Sequence, residues 1–263
     1  KGSSARTPNT PAGMPSRLVL SLAVLLLAAG CGGDDTRTVT VRETVTETAA
    51  SSVPSEAPAL VALYFLQDGK VWPEQRGLVT GPAIATNTVH QLFEGTESEL
   101  TSAIPPETRL RSLAIKGGVA SIVLDPAVTD PKALAQLTYT LTQFDSVQRV
   151  SFNGDPPVGR AAFEAETPAI LVESPLSHEE VESGFEATGT ANTFEATFQY
   201  ELRDDDKILK KDFVTATSGS GTRGTFRFTV PYEASGPGRL VVFEISAEDG
   251  SRTNERSIPL SLR

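Results

Sequence analysis

From residue 168 to the end the chain keeps a regular beat. Short stretches of alternating apolar and polar residues recur near 169–173, 181–189, 194–203, 207–216, 224–232, 239–248 and 254–262. Turn-forming runs separate them, among them Asp204-Asp205-Asp206, Ser218-Gly219-Ser220-Gly221, Ser235-Gly236-Pro237-Gly238 and Asp249-Gly250-Ser251. Period-two strands spaced about 8–12 residues apart, each closed by residues that bend tightly, predict an all-β sandwich of seven strands over 168–263. Phe194, Phe198, Phe226, Phe228 and Phe243 supply the bulk expected in its core. Packing has to hold it together, because Cys31 is the only cysteine and excludes an internal disulfide.

Upstream, over 59–155, the pattern is different. The apolar run Ala59-Leu60-Val61-Ala62-Leu63-Tyr64-Phe65-Leu66 stops at Asp68-Gly69 and resumes at Lys70-Val71-Trp72-Pro73, which reads as a buried strand with a hairpin exit. Val89, Leu92 and Phe93 follow at helical spacing, with Asn87 as the cap and Gly95 past the end. Leu110, Leu113 and Ile115, then Val119, Ile122 and Leu124, flank Lys116-Gly117-Gly118 and predict two strands joined by a tight turn. A second helix opens at Asp130, whose carboxylate accepts from orphan N–H groups, with Pro131 at the first helical position. Leu134, Leu137, Leu141 and Phe144 form its apolar face, and a strand from Val147 to Phe152 ends at Asn153-Gly154. The order predicts an α+β domain, a small sheet with two helices on one face.

Before these domains stands an export signal. Arg17 precedes an apolar run from Leu18 to Ala29, followed by Gly30 and Cys31. Twelve apolar residues fall short of the roughly 20 that a membrane-spanning helix needs. Small residues at 28–30 admit a peptidase, and the Cys31 thiol is a nucleophile able to carry a diacylglyceryl group. The segment resembles the bacterial lipoprotein signal, with Ala28 where the common pattern has leucine. A plain secretory signal with an incidental cysteine is the competing reading. Met14, the only methionine, marks an alternative start. Residues 34–58, rich in Thr, Ser, Glu and Pro and without an aromatic, read as a disordered tether rather than a strand. A flexible tether of that length reaches roughly 28 Å. The expected division is therefore a signal at 1–30, a linker at 31–58, the α+β domain at 59–155, an interdomain linker at 156–167 and the sandwich at 168–263.

Charge narrows the partners. The net charge is −10, and loss of Lys1, Arg6 and Arg17 with the signal leaves −13, which repels nucleic-acid phosphates and anionic headgroups. His90 and His178 are the only histidines, far apart in sequence, and both read as exposed and without a role. There is no G-x-S-x-G elbow for a serine nucleophile. Asp204-Asp205-Asp206 could begin a calcium site but reads as a solvated hairpin turn. Gly219 to Gly224 lacks the lysine and following helix of a phosphate cradle. Trp72 and Tyr200 could stack on a sugar, against core packing as the ordinary duty of isolated aromatics. No catalytic residue, cofactor or metal is expected; Cys31, as the lipidation site, is the one site residue.

Two stretches are similar to known families. Leu63-Tyr64-Phe65-Leu66, Leu100-Thr101-Ser102-Ala103-Ile104-Pro105, Gly118-Val119-Ala120 with Leu124-Asp125, and Ala135-Gln136-Leu137-Thr138-Tyr139-Thr140-Leu141-Thr142-Gln143-Phe144 resemble the sporulation and spore germination domain called GerMN. Ser174-Pro175-Leu176, Gly189-Thr190-Ala191-Asn192-Thr193-Phe194-Glu195-Ala196, Gly236-Pro237-Gly238 and Val242-Phe243-Glu244-Ile245-Ser246-Ala247 resemble the immunoglobulin-like domain of bacterial spore germination. The resemblance implies an envelope lipoprotein whose first module is similar to ring-building domains of secretion channels, with no catalytic activity attributed to it. It does not imply that the organism makes spores. The expectation is a non-catalytic interaction or scaffold protein, lipid-anchored on the outer face of the cell membrane, docking another envelope protein. The alternative partner is a cell-wall glycan; nucleic acid is not expected.

Overall fold

The computed structural model describes residues 59–79 and 83–263. The export signal, Cys31 and the tether lie outside the described residues. The first module begins with β1 (Ala59–Gln67) and β2 (Lys70–Val79), an antiparallel hairpin. Its two turn residues, Asp68 at φ 52° and Gly69 at φ 73°, both take the left-handed conformation that matches strand twist in two-residue hairpins. Helix α1 (Ile84–Phe93) follows, then the hairpin of β3 (Arg109–Lys116) and β4 (Val119–Asp125), turned on Gly117 and Gly118 as expected. Helix α2 (Pro131–Leu141) then leads to β5 (Arg149–Phe152), which pairs parallel to β4.

The α+β class holds, but the single small sheet does not. The strands form two separate sheets, β1-β2 and β3-β4-β5. The reason is visible on the second edge of β1, which is occupied by side chains instead of a strand. Ala62 N–H donates to Gln143 Oε1 at 2.9 Å, and Gln143 Nε2 donates back to the Ala62 carbonyl at 2.8 Å. Tyr64 N–H donates to Thr140 Oγ1 at 3.1 Å, while Gln136 Nε2 donates to the Tyr64 carbonyl at 3.0 Å. Leu66 exchanges two backbone bonds with Thr101. One row of α2 and the turn after it thus satisfies an edge whose unpaired groups would be costly to bury.

The caps of α2 are as expected, with Asp130 Oδ1 accepting from Lys132 N at 2.7 Å and Ala133 N at 3.4 Å. The single apolar face is not: residues 135 to 141 are all buried, including Gln136, Thr138 and Thr140. Asn87 does not cap α1. The helix starts earlier, at Ile84 after Ala83, because Ala85 and Thr88 extend the buried stripe upstream, and Asn87 sits in the first turn.

The second module is a sandwich of eight strands, not seven. Strands β6 (Ile170–Ser174), β7 (Glu180–Val181), β8 (Phe185–Ala191), β9 (Thr197–Asp204), β10 (Lys207–Thr215), β11 (Gly224–Val230), β12 (Gly236–Ile245) and β13 (Arg252–Leu262) form sheets ordered β10-β9-β12-β13-β7 and β11-β8-β6. The expected strand at 181–189 divides because Gly184, at φ 86°, turns the chain between β7, which pairs with β13, and β8 in the other sheet. Gly236-Pro237-Gly238 opens β12 instead of forming a turn. A Cβ on Gly238 would stand 2.7 Å from Leu262 Cδ1, so the strand needs glycine there to let β13 close over it. Phe198, Phe226 and Phe243 are buried, but Phe194 is 67% exposed. It lies in the 3-10 turn Phe194–Ala196, where Glu195 and Ala196 both take positive φ before β9 begins.

The two modules share a core. Val61, Leu63 and Phe65 of β1 pack inside the first module with Leu92, Ile122, Leu137 and Val150, whereas Tyr64 and Leu66, on the opposite face, pack into the cluster that holds Ile170, Phe198, Tyr200 and Leu260. That is why the apolar run of β1 is nearly continuous: both faces are buried. Residues 156–167, expected as a linker, contain a 3-10 segment, Arg160–Glu166, whose Phe163 is buried in the shared cluster.

Candidate interaction site at the module junction

Four elements converge where the modules meet. β1 contributes Tyr64, the end of α2 contributes Tyr139 and Thr142, the 3-10 segment contributes Arg160, and β6 contributes Glu173. Arg160 Nη1 donates to Glu173 Oε1 at 2.7 Å, Nε to Thr142 Oγ1 at 2.7 Å, and Nη2 to the Tyr139 carbonyl at 3.4 Å. Its guanidinium carbon stands 4.6 Å from the Tyr139 ring centroid and 5.7 Å from that of Tyr64. Tyr64 OH donates to the same Glu173 oxygen at 2.5 Å. Tyr139 OH and Thr167 Oγ1 lie 2.8 Å apart, and Thr167 donates on to the Phe163 carbonyl.

The electrostatics follow from burial. Burial, then the Glu173 carboxylate, push the Tyr64 hydroxyl well above its ordinary pKa, so it stays a donor. Burial works against the charge on Arg160, but Tyr64 and Glu173 outweigh it and hold the group cationic. A second junction contact closes the far side: Arg223 grips Glu164 through Nε and Nη2, both at 2.9 Å, and Asn192 Nδ2 donates to Glu164 at 2.8 Å. Burial opposes the Glu164 charge, yet these bonds lower its pKa. Lys70 donates to the Ala165 carbonyl, and Arg256 pairs with Asp68 at 3.3 Å. Arg160, Tyr64 and Tyr139 each bond a partner within the central cluster. Chemically this is a lock, with no activated nucleophile beside a base.

A separate ionic cluster sits on the larger sheet of the sandwich. Glu201, fully buried, takes Arg203, Arg252 and Lys211, and Arg252 lies 3.9 Å over the Phe243 ring. Burial raises the Glu201 pKa less than Arg203 and Arg252 lower it.

The residues weighed from sequence do not assemble. His90 lies exposed on α1 and His178 exposed on the loop before β7, with no contact between them recorded among the described residues. Trp72 and Tyr200 are 4% and 3% exposed, so neither ring presents a stacking face. Asp204 ends β9 and Asp205 turns the hairpin into β10 at φ 48°. No group of three or more His, Cys, Asp or Glu side chains suited to a metal occurs among the described residues, and none of their helices is long and apolar enough to cross a membrane. Cys31 lies outside them. Sequence reading missed Tyr64, Arg160, Glu173, Glu164 and Arg223 as a set. One signal was available: Arg160 and Phe163 place a cation and a large aromatic in a segment that a plain linker would leave small and polar.

Residues 62–156 match the family model described as sporulation and spore germination, and residues 169–251 match that described as the immunoglobulin-like domain of bacterial spore germination. No curated protein matches the chain. Among solved structures, it is similar to the tandem GerMN domains of the sporulation protein GerM from Bacillus subtilis, at 19% identity and a TM-score of 0.31, covering 66% of this chain and 61% of that one. It is also similar to a candidate lipoprotein from Clostridium perfringens, at 21% identity and a TM-score of 0.28, covering 42% and 93%. Fibronectin(III)-like modules of CbhA from Clostridium thermocellum match at 19% identity and a TM-score of 0.25, covering 35% and 93%. Neither matched family is a known enzyme family. The chain therefore carries a GerMN sporulation and spore germination domain followed by the immunoglobulin-like domain of bacterial spore germination.

Proposed function

We propose that this is a lipid-anchored, non-catalytic protein of the cell envelope, attached through Cys31 to the outer face of the membrane, which docks another envelope protein as a rigid two-module scaffold. The observation that carries the reading is the junction. Two germination-related modules are joined by a shared core and a hydrogen-bonded Arg160–Glu173–Tyr64 cluster, so they present their surfaces in one fixed relation. Preorganisation of that kind lowers the cost of binding by an interface that spans both modules. A wall glycan stacked on Trp72 and Tyr200 is the weaker reading, because both rings are buried.

Two measurements test it. Cys31→Ala should move the protein from the membrane fraction to the soluble one, and unchanged membrane retention would remove the anchor. Crosslinking on intact cells should attach a defined envelope protein to the wild type, with loss of that adduct in Arg160→Met. Repeated recovery of no partner would remove the scaffold reading.

A further inference from the structure

We infer that the open edge of β3 receives, as an added strand, an extended segment of a partner protein in which Asp or Glu alternates with apolar residues. The inference rests on the docking reading above and deepens it, by giving one surface an occupant of stated chemistry. β3 is an outer strand of the sheet β3-β4-β5. Its two-residue turn makes Lys116 and Val119 a hydrogen-bonded pair, and alternation gives the same role to Ala114 and Ser112. The N–H and C=O groups of Leu113 and Ile115 therefore point away from β4, and no described residue bonds them. The contrast with β1 is direct, because there the second edge is closed by Gln136, Thr140, Gln143 and Thr101. Six of the eight residues of β3 are exposed, which leaves room for a strand to approach.

The two faces of the edge specify what fits. On the inner face Leu110 and Leu113 are only partly buried at the margin of the core, and Ile115, opposite the buried Ala120, is 38% exposed. Apolar side chains of an added strand would cover them. On the outer face the register sets Lys116, Val119 and Arg149 in one row across the three strands. These strands carry four cations, Arg109, Arg111, Lys116 and Arg149, against one carboxylate, Asp125, in a chain whose net charge is −10. Arg111 pairs with Asp125, and the other three form no ion pair with a described residue. Charged residues on an edge guard against indiscriminate pairing, and cations favour an acidic strand. A second copy would set these cations against themselves. A phosphate-bearing surface would leave the Leu113 and Ile115 backbone groups without partners, whereas strand addition satisfies both the charges and the backbone.

The full chain is titrated with fluorescein-labelled Glu-Val-Glu-Val-Glu-Val-Glu and with its counterpart Lys-Val-Lys-Val-Lys-Val-Lys. Anisotropy should saturate with the glutamate peptide, and the lysine peptide should bind at least about tenfold more weakly. At saturation, amide hydrogen exchange at Leu113 and Ile115 should slow by about tenfold or more, a change that charge attraction alone does not produce. The double variant Lys116→Glu/Arg149→Glu should weaken binding by about tenfold. Ile115→Pro removes a donor that points away from β4, so it should abolish binding while the circular dichroism stays that of the wild type. If that variant disturbs the fold, the exchange and charge measurements decide alone. No saturable binding of the glutamate peptide, equal binding of the lysine peptide, unchanged exchange at Leu113 and Ile115, or full affinity in the Lys116→Glu/Arg149→Glu variant overturns the inference. A defined crosslinked adduct on cells alongside such a result would leave the scaffold reading standing and remove the β3 edge as its docking surface.

Discussion

Arg160 holds four elements together, and its substitution has a cost that can be bounded. Removing one partner from a fully buried ion pair costs about 3–5 kcal/mol. Here Arg160 and Glu173 retain 27% and 22% of their side-chain surface, so solvent screens part of the loss. Arg160→Met, which keeps the stem, should destabilise by about 2 kcal/mol in urea unfolding. Arg160→Lys should recover only part of that, because an ammonium cannot reach Thr142, Glu173 and the Tyr139 carbonyl together. A loss under about 0.5 kcal/mol in the methionine variant would mean that the cluster contributes no more than an ordinary surface position. Glu201 gives a second residue-scale prediction, this time in pH. Its folded pKa, like that of Glu164, is lowered from 4.5. A carboxyl depressed by folding adds stability that is complete above its unfolded pKa and is lost as pH falls through the folded value. Stability of the wild type should therefore decline below about pH 4.5, and Glu201→Gln should flatten that acid limb while lowering stability at neutral pH. Parallel pH profiles for the two proteins would rule out this role for Glu201.

At the scale of elements, α2 does the work of a strand. Gln136 is fully buried and bonds both the Tyr64 carbonyl and the Ala103 N–H, the latter at 2.7 Å. Gln136→Leu leaves both backbone groups desolvated without partners, at about 1–3 kcal/mol each, so a loss of about 2–6 kcal/mol is expected in thermal or urea unfolding. Gln136→Glu should be no better, since a carboxylate cannot donate to the Tyr64 carbonyl. Retention of wild-type stability in the leucine variant would mean that β1 does not depend on α2 for its edge. The same helix shows what could be read from sequence. Its limits were legible because Asp130 and Pro131 act locally, through orphan N–H groups and a fixed φ. Its burial was not, because Gln136, Thr140 and Gln143 occupy positions that a surface helix would also fill with polar residues. Lys132 is the only charged residue in α2, and a polar face without charges is the available hint that it is not solvated. The hairpins at Asp68-Gly69 and Gly117-Gly118 were legible for the same local reason as the caps. The split of β7 from β8 was not, since Gly184 reads as one glycine within an alternating run until each half finds its own sheet. Phe194 misled because a large aromatic in a β pattern is ordinarily core, and only the two left-handed residues after it turn it outward. The junction cluster was the least legible feature, because Tyr64, Tyr139, Arg160 and Glu173 lie on separate elements and meet only after both modules have folded.

For the whole molecule, the decisive fact is that one cluster of buried side chains contains Tyr64, Trp72 and Tyr139 of the first module, Phe163 between the modules, and Phe198 and Leu260 of the second. Two-module chains often unfold in separate steps, because an interdomain contact is commonly small and polar. Here either module unfolding alone would expose part of the other's core and strand the charged groups of the junction. A single cooperative transition is therefore expected across residues 59–263. Trp72 is buried in the shared cluster, so its fluorescence should follow the same curve as far-ultraviolet circular dichroism, and the calorimetric and van't Hoff enthalpies should agree. Arg160→Met should lower the midpoint of that one curve, because the contact it removes belongs to the combined fold. If calorimetry instead resolves two transitions, with the fluorescence change confined to one of them, the modules are merely tethered neighbours, and an interface spanning both would have to be assembled by the partner rather than presented to it.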